Sequence, residues 1–245
     1  MSDHSDLSGL QPPFEFVPLR DVALACLMFN SLEPYNDSLA KLRDVDPIDL
    51  RDVNHRAALL VWLNAWGCRH LDKEEHGTAS LSIHEWYGEQ ALVLPSPSTP
   101  IWELDDGQMA QVASAYDSLR RRDGAHRTGK NSGQVATIGP TAASKVLFAL
   151  RPKSLAPWDA KMRRKLGHGD GAKGYLEFLK MMRGRAQSLA KQCHQYDFDI
   201  SELPLKLGRS ETTTVVALLN EHMWVTVSEE VKLPSQEILA SWAKW

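Results

Sequence analysis

Apolar residues recur along the chain at intervals of three and four rather than two, and the runs are broken by proline, glycine and acidic residues. That pattern predicts a succession of amphipathic helices. Val22, Leu24, Ala25, Leu27 and Met28 predict a first helix from Asp21, closed near Pro34, and Leu39, Leu42 and Val45 a second from around Asp37. Asp52 stands where an N-cap belongs, ahead of a long helix through Ala57, Leu60, Trp62, Ala65 and Trp66 to Cys68 that reads as a central core element. Thr78 to Leu94 reads most simply as another helix, although Ala91 to Leu94 also suits an extended conformation. Asp105 or Asp106 opens a helix through Met109, Val112, Tyr116 and Leu119 that closes on Arg120-Arg121-Arg122, where positive charge suits a helix C-terminus.

The middle of the chain is patterned more finely. Asp123 to Gly133 reads as a polar, glycine-containing loop whose residue types suit phosphate contact, and it leads to Gly139-Pro140. Glycine tolerates the backbone angles of a tight hairpin, and proline suits the first position of a helix. Ala142, Ala143, Val146, Leu147 and Leu150 give that helix a buried face, and Arg151-Pro152 ends it, because the residue before proline is pushed out of the α region. Asp159 then stands as an N-cap ahead of Ala160 to Leu166. A basic helix follows from Tyr175 to Leu189, then a helix at Thr212–His222, an extended Trp224–Val227 and a last helix near Ser235–Trp245.

The expected fold class is therefore mainly α, and the length allows a two-lobed helical bundle around a cleft. Four segments are expected: a flexible arm over residues 1–18, an N-terminal helical lobe over 19–106, a basic lobe over 107–191, and a C-terminal segment over 192–245 packing on the N-terminal lobe.

Charge divides the chain along the same lines. Residues 1–106 hold 7 Lys+Arg against 18 Asp+Glu, residues 107–191 hold 17 against 5, and residues 192–245 hold 4 against 8, giving −11, +12 and −4. A basic middle third is the expected polyanion-facing surface. Cys26, Cys68 and Cys193 are odd in number and lack the close spacing of metal or redox centres, so they read as small apolar residues. The first residues carry no basic segment followed by an apolar run, and nothing approaches the length that spans a bilayer, so the expected location is the cytoplasm.

Ile138-Gly139-Pro140, followed at Trp158 by Trp-Asp-Ala-Lys-Met-Arg-Arg, resembles the signature of the helix-hairpin-helix DNA glycosylases, a glycine-rich hairpin followed by an aspartate segment. The resemblance covers about an eighth of the chain. Thr137 replaces the family's first hairpin glycine, and Thr141 falls where bifunctional members carry a nucleophilic lysine. The resemblance implies a monofunctional glycosylase acting on double-stranded DNA as a monomer. It would flip out a modified base and hydrolyse the bond between base and sugar, leaving an abasic site. Asp159 would be the catalytic carboxylate, stabilising positive charge on the sugar and orienting water.

Backbone N–H groups at Gly139 and the start of the following helix would hold a DNA phosphate, with Pro140, Thr141, Lys145, Arg127, Lys130, Lys161, Arg163 and Arg164 beside them. No cofactor is required, no metal takes part in the chemistry, and a structural monovalent cation at the hairpin is compatible with the family pattern. Lys145 lies one turn beyond Thr141, so its arm also reaches towards the cleft and leaves a lyase role open. Walls for a flipped base are sought among Trp158, Trp62, Trp66, Trp86, Tyr87 and His84, with Glu85 and Glu89 as candidates to read an amino or hydroxyl group.

The variant Ser144-Lys145-Val146-Leu147, Arg151-Pro152, Trp158-Asp159 is similar to a bacterial branch of 8-oxoguanine-glycosylase-like proteins. Some of these remove glucosylated hydroxymethylcytosine from phage DNA as antiviral defence. Repair of oxidised or alkylated purines is the rival expectation within the family. A hairpin module that binds DNA without chemistry is a second reading, and a Mg²⁺ nuclease a third, which lacks an acidic cluster beside the basic segment.

Overall fold

The structure is a computed structural model that describes residues 16–32, 42, 45–72, 74, 76–127 and 133–242. In order, the chain forms α1 (Leu19–Leu32), α2 (Val53–Ala65), α3 (Thr78–Gln90), α4 (Asp106–Arg120), β1 (Asp123–His126) and β2 (Val135–Thr137). It continues through α5 (Gly139–Leu150), α6 (Ala160–Leu166), α7 (Ala172–Gln195), α8 (Leu203–Lys206), α9 (Val215–Met223) and α10 (Gln236–Trp242). The fold is mainly helical, as the periodicity predicts.

Aspartates start three of these helices. Asp52 accepts from Asn54 N at the head of α2, and Asp105 forms a reciprocal capping box with Gln108 at α4. Asp159 accepts from Met162 N at α6. Each bond satisfies one of the backbone donors that a helix start leaves unpaired. At the other end of α6, Gly167 takes a left-handed conformation with φ 69°, a C-terminal stop that glycine adopts without strain.

The centre of the molecule is α4 against α7 and α5, with α2 bridging α3 and α5. Trp86 is fully buried and donates from Nε1 to Ala115 O at 2.9 Å, which ties α3 to α4. Tyr116, Trp158, Tyr175 and Phe178 form an aromatic group between α4, α7 and the loop before α6. Burying each such side chain contributes on the order of 1.5–3 kcal/mol.

One contiguous core runs from Val17 to Met223 and crosses the boundaries expected near 106 and 191. A small second cluster of Ala25, Phe29 and Val225 joins α1 to the segment after α9. The C-terminal segment packs through α9 on α1 and also on α7 of the basic region. The three described cysteines are buried and free.

Two segments differ from the sequence pattern. Asp123 to Gly133, expected as a loop, begins with a strand: β1 pairs antiparallel with β2, in register Ala125↔Ala136 and His126↔Val135, with an irregularity near Gly124. The strands are too short to carry an alternating signature, and their pairing is between segments rather than local. Trp224 to Val227, expected as extended, is part of a five-residue π turn, Trp224–Ser228. Its β-branched composition favours a strand, but Val225 and Trp224 are drawn onto Ala25 and Phe29 of α1, and packing overrides propensity. Ala91–Val93 closes α3 as a 3-10 turn. The helix expected from Asp37 falls largely outside the described residues, as do most of the N-terminal arm and the last three residues.

Candidate active site and nucleic-acid interface

Ser144, fully buried on α5, fixes the approach of two chain segments. Its Oγ donates to Thr141 O at 3.0 Å and lies 3.3 Å from Trp158 O, while Trp158 N donates back to Ser144 Oγ at 3.2 Å. The Trp158-Asp159 loop is therefore fastened to the helix that carries Lys145. Tyr175 anchors the same loop by donating to Ala156 O at 3.0 Å.

The result is a cavity of about 270 Å³ lined by Phe29, Ala65, Trp66, Lys145, Pro157, Trp158, Asp159, Met162, Asn220 and Trp224. Five parts of the chain meet there: α1, the end of α2, α5, α6 with the loop entering it, and α9 with its π turn. Four aromatic rings supply flat apolar walls, and Phe29 meets Trp224 edge-on at 5.3 Å between centroids.

Two ionisable groups face this space. Asp159 is partly buried, with Oδ1 accepting from Met162 N at 2.7 Å and Oδ2 from Ser228 Oγ at 3.0 Å. Lys145 is 9% exposed, and its Nζ donates to Trp66 O and sits 4.4 Å from the centre of the Trp66 ring. Burial holds the lysine below its ordinary pKa, opposed by the negative fields of Cys68 and Asp159. Desolvation raises the Cys68 thiol, with Lys145 opposing.

The expected base-pocket aromatics divide. Trp66 and Trp158 line the cavity, whereas Trp62, Trp86 and Tyr87 are absent from its lining. Trp62 packs in the core with its ring 4.8 Å from that of Trp66, and Trp86 is bonded to α4. Tyr87 lies under the Arg51 guanidinium. His84 sits beside Arg56, and Glu85 and Glu89 are ion-paired with Arg122, and none of the three lines this cavity. Phe29, Asn220, Trp224 and Ser228 were not expected at the site. All four come from elements far in sequence from the motif.

The second concave surface lies at the hairpin. His70, Arg127, Val135, Ala136, Thr137, Ile138, Gly139, Pro140 and Thr141 line an open groove of about 410 Å³. Gly139 has φ 76°, a left-handed conformation that lets α5 begin directly after β2. His70 Nε2 lies 3.0 Å from Ile138 O and closes one end. The start of α5, where a helix leaves its first backbone donors without partners inside the helix, borders this groove beside the exposed Arg127.

The basic residues are less free than their number suggests. Arg163 is 7% exposed, with Nε on Asp170 at 2.8 Å and an NH group donating to Thr141 Oγ1 at 3.0 Å, so its guanidinium is engaged within the fold. Lys161 pairs with Glu229 at 2.9 Å and Lys165 with Glu230. Lys145, expected to contact the strand, is instead enclosed in the cavity. Arg127 and Arg164 are exposed and form no ion pair among the described residues; Lys130 lies outside them.

No group of three His, Cys, Asp or Glu side chains is arranged to hold a metal among the described residues, and no described helix is long and apolar enough to cross a membrane. Comparison with protein-family models, curated proteins and solved structures finds no match.

Proposed function

We propose that the chain is a DNA N-glycosylase that takes a modified base into the aromatic cavity and hydrolyses its bond to deoxyribose. The observation that carries this reading is the carboxylate of Asp159, fixed at the wall of a cavity that four aromatic rings line together with Lys145 and Asn220. Aromatic walls suit a base rotated out of the stack, which every nucleobase enters by its π face. As the C1′–N bond breaks, its electron pair leaves with the base and positive charge builds on the sugar. Asp159 stabilises that charge and orients a water, whose oxygen bonds to C1′ while its hydrogen is passed on to the departing base. The groove at Gly139 and Arg127 would grip the phosphate backbone without reading sequence.

A second reading concerns strand cutting. Thr141 cannot form an imine, which argues for base removal alone, but Lys145 lines the same cavity. Its uncharged amine could bond to C1′ as the base leaves with the electron pair of the C1′–N bond and takes up an amine proton. The C1′–O4′ bond then opens to give the imine, with the second amine proton passing to O4′. Borohydride reduction separates the two. A covalent protein–DNA adduct that disappears in Lys145→Met assigns lyase chemistry, and its absence from active protein assigns simple hydrolysis. The choice of base is tested by incubating the protein with unmodified, oxidised, alkylated and glucosylated-hydroxymethylcytosine DNA and identifying released bases by mass spectrometry. Release from glucosylated phage DNA supports an antiviral role, and release of oxidised or alkylated purines supports repair. Release from none of them rejects the glycosylase reading in favour of a binding module.

A further inference from the structure

Ser228 has no place in the motif that marks the aspartate segment, yet it holds one of the two carboxylate oxygens there. It is 3% exposed and is the last residue of the π turn whose first residue, Trp224, lines the cavity. The turn is held from three sides. Val225 is buried against Ala25 and Phe29 of α1, Thr226 Oγ1 donates to His222 O at 2.7 Å, and Glu229 N donates to Trp224 O at 2.9 Å. Immediately beyond it, Glu229 and Glu230 pair with Lys161 and Lys165 of α6, the helix that Asp159 caps. The π turn is thus fastened to both α1 and α6, and it delivers one aromatic wall and one hydroxyl donor to the same site. An inserted residue in a helix re-aims the side chains that follow it, which is why such turns recur at functional sites.

We propose that Ser228 is the positioning residue of Asp159: with Met162 N on Oδ1 and Ser228 Oγ on Oδ2, it locks the carboxylate in the one rotamer that faces the cavity. This rests on the glycosylase reading for its catalytic meaning, but not for its geometry. The two donors leave the carboxylate no freedom to turn about its last bond. Replacing Ser228 by alanine frees Oδ2 while Oδ1 still caps α6, so the helix survives and the reacting geometry loosens. The predicted signature is in turnover rather than in substrate binding.

The test compares wild type, Ser228→Ala, Ser228→Thr and Asp159→Asn on the modified DNA that wild type processes. Ser228→Ala lowers kcat about tenfold or more, the scale of one hydrogen bond to a charged group. KM stays within about twofold, and Ser228→Thr, which keeps the hydroxyl, recovers most of the rate. Wild-type turnover in Ser228→Ala overturns the proposal, as does a folded Ser228→Thr variant no faster than Ser228→Ala. If wild type releases no base from any DNA, the glycosylase reading has failed separately. The bond itself is then read from the ¹³Cγ resonance of Asp159, identified by its loss in Asp159→Asn. It shifts in Ser228→Ala and returns in Ser228→Thr if Ser228 holds the carboxylate, and an unmoved resonance in Ser228→Ala overturns the placement.

Discussion

The cavity at Asp159 and the groove at Gly139 sit at the two ends of one short stretch of chain, and they are built in opposite ways. The cavity is assembled from five separated elements, is walled by aromatic rings, and holds both of its ionisable groups in place with bonds from neighbouring segments. The groove is open, is lined largely by consecutive residues 135–141, and offers backbone donors and one exposed arginine. A site that performs chemistry needs fixed groups in a dry space, while a site that grips a polyanion needs only accessible donors and charge. On the proposed glycosylase reading, chemistry belongs to the first and grip to the second.

Substitutions separate the two if the contrast is right. Trp224→Ala removes a cavity wall and is expected to lower kcat/KM for base release by about 10- to 100-fold, the scale of losing one stacked base contact. Filter binding to unmodified duplex should be unchanged, and a parallel loss of duplex binding would break the division.

A pH scan sharpens it from the side of stability. Burial, aided by the nearby Arg185, pushes His222 on α9 from 6.5 down to about 4. The folded state keeps this histidine neutral where the unfolded chain binds a proton, so stability falls as pH drops from about 6.5 to 4, by about 1.4 kcal/mol per unit at most. Thermal melts of wild type should lose stability across that interval, and His222→Gln should flatten the dependence. Because α9 carries Asn220 to the cavity wall, base release should weaken in acid before duplex binding does.

At the groove, Arg127→Ala is expected to weaken duplex binding a few-fold, with no change in the chemical step once DNA is saturating. The slope of log K against log salt should fall by about one, as for loss of a single phosphate contact. The smallest effect belongs to the exposed pairs on α6: Glu229→Gln should change stability by less than about 1 kcal/mol in chemical denaturation. It should also raise duplex affinity slightly, by releasing Lys161.

The helix starts were the most legible part of the sequence. Asp52, Asp105 and Asp159 each precede an apolar helical pattern, and all three cap as that pattern predicts, because capping is decided within four residues. The β-hairpin and the π turn were not legible, since one depends on pairing across a loop and the other on burial against α1. Asp159 could be singled out from the motif, but its pocket could not: Phe29, Asn220, Trp224 and Ser228 arrive from α1, α9 and the π turn, and no local spacing links them to it. Aromatic residue type alone does not separate Trp66 and Trp158, which line the cavity, from Trp62, Trp86 and Tyr87, which do not. The charge count of the basic segment overstated its free surface, because Glu229 and Glu230 return to α6 from more than sixty positions away.

The account turns on whether the Asp159 carboxylate does chemistry or only caps a helix. The direct measurement is base release and duplex binding by Asp159→Asn beside wild type, on a DNA whose modified base wild type removes. Asparagine keeps an oxygen for Met162 N and so keeps the cap. The account predicts a loss of base release of about 10²-fold or more, with duplex binding and thermal stability close to wild type. Base release at the wild-type rate would contradict it and leave Asp159 a structural residue.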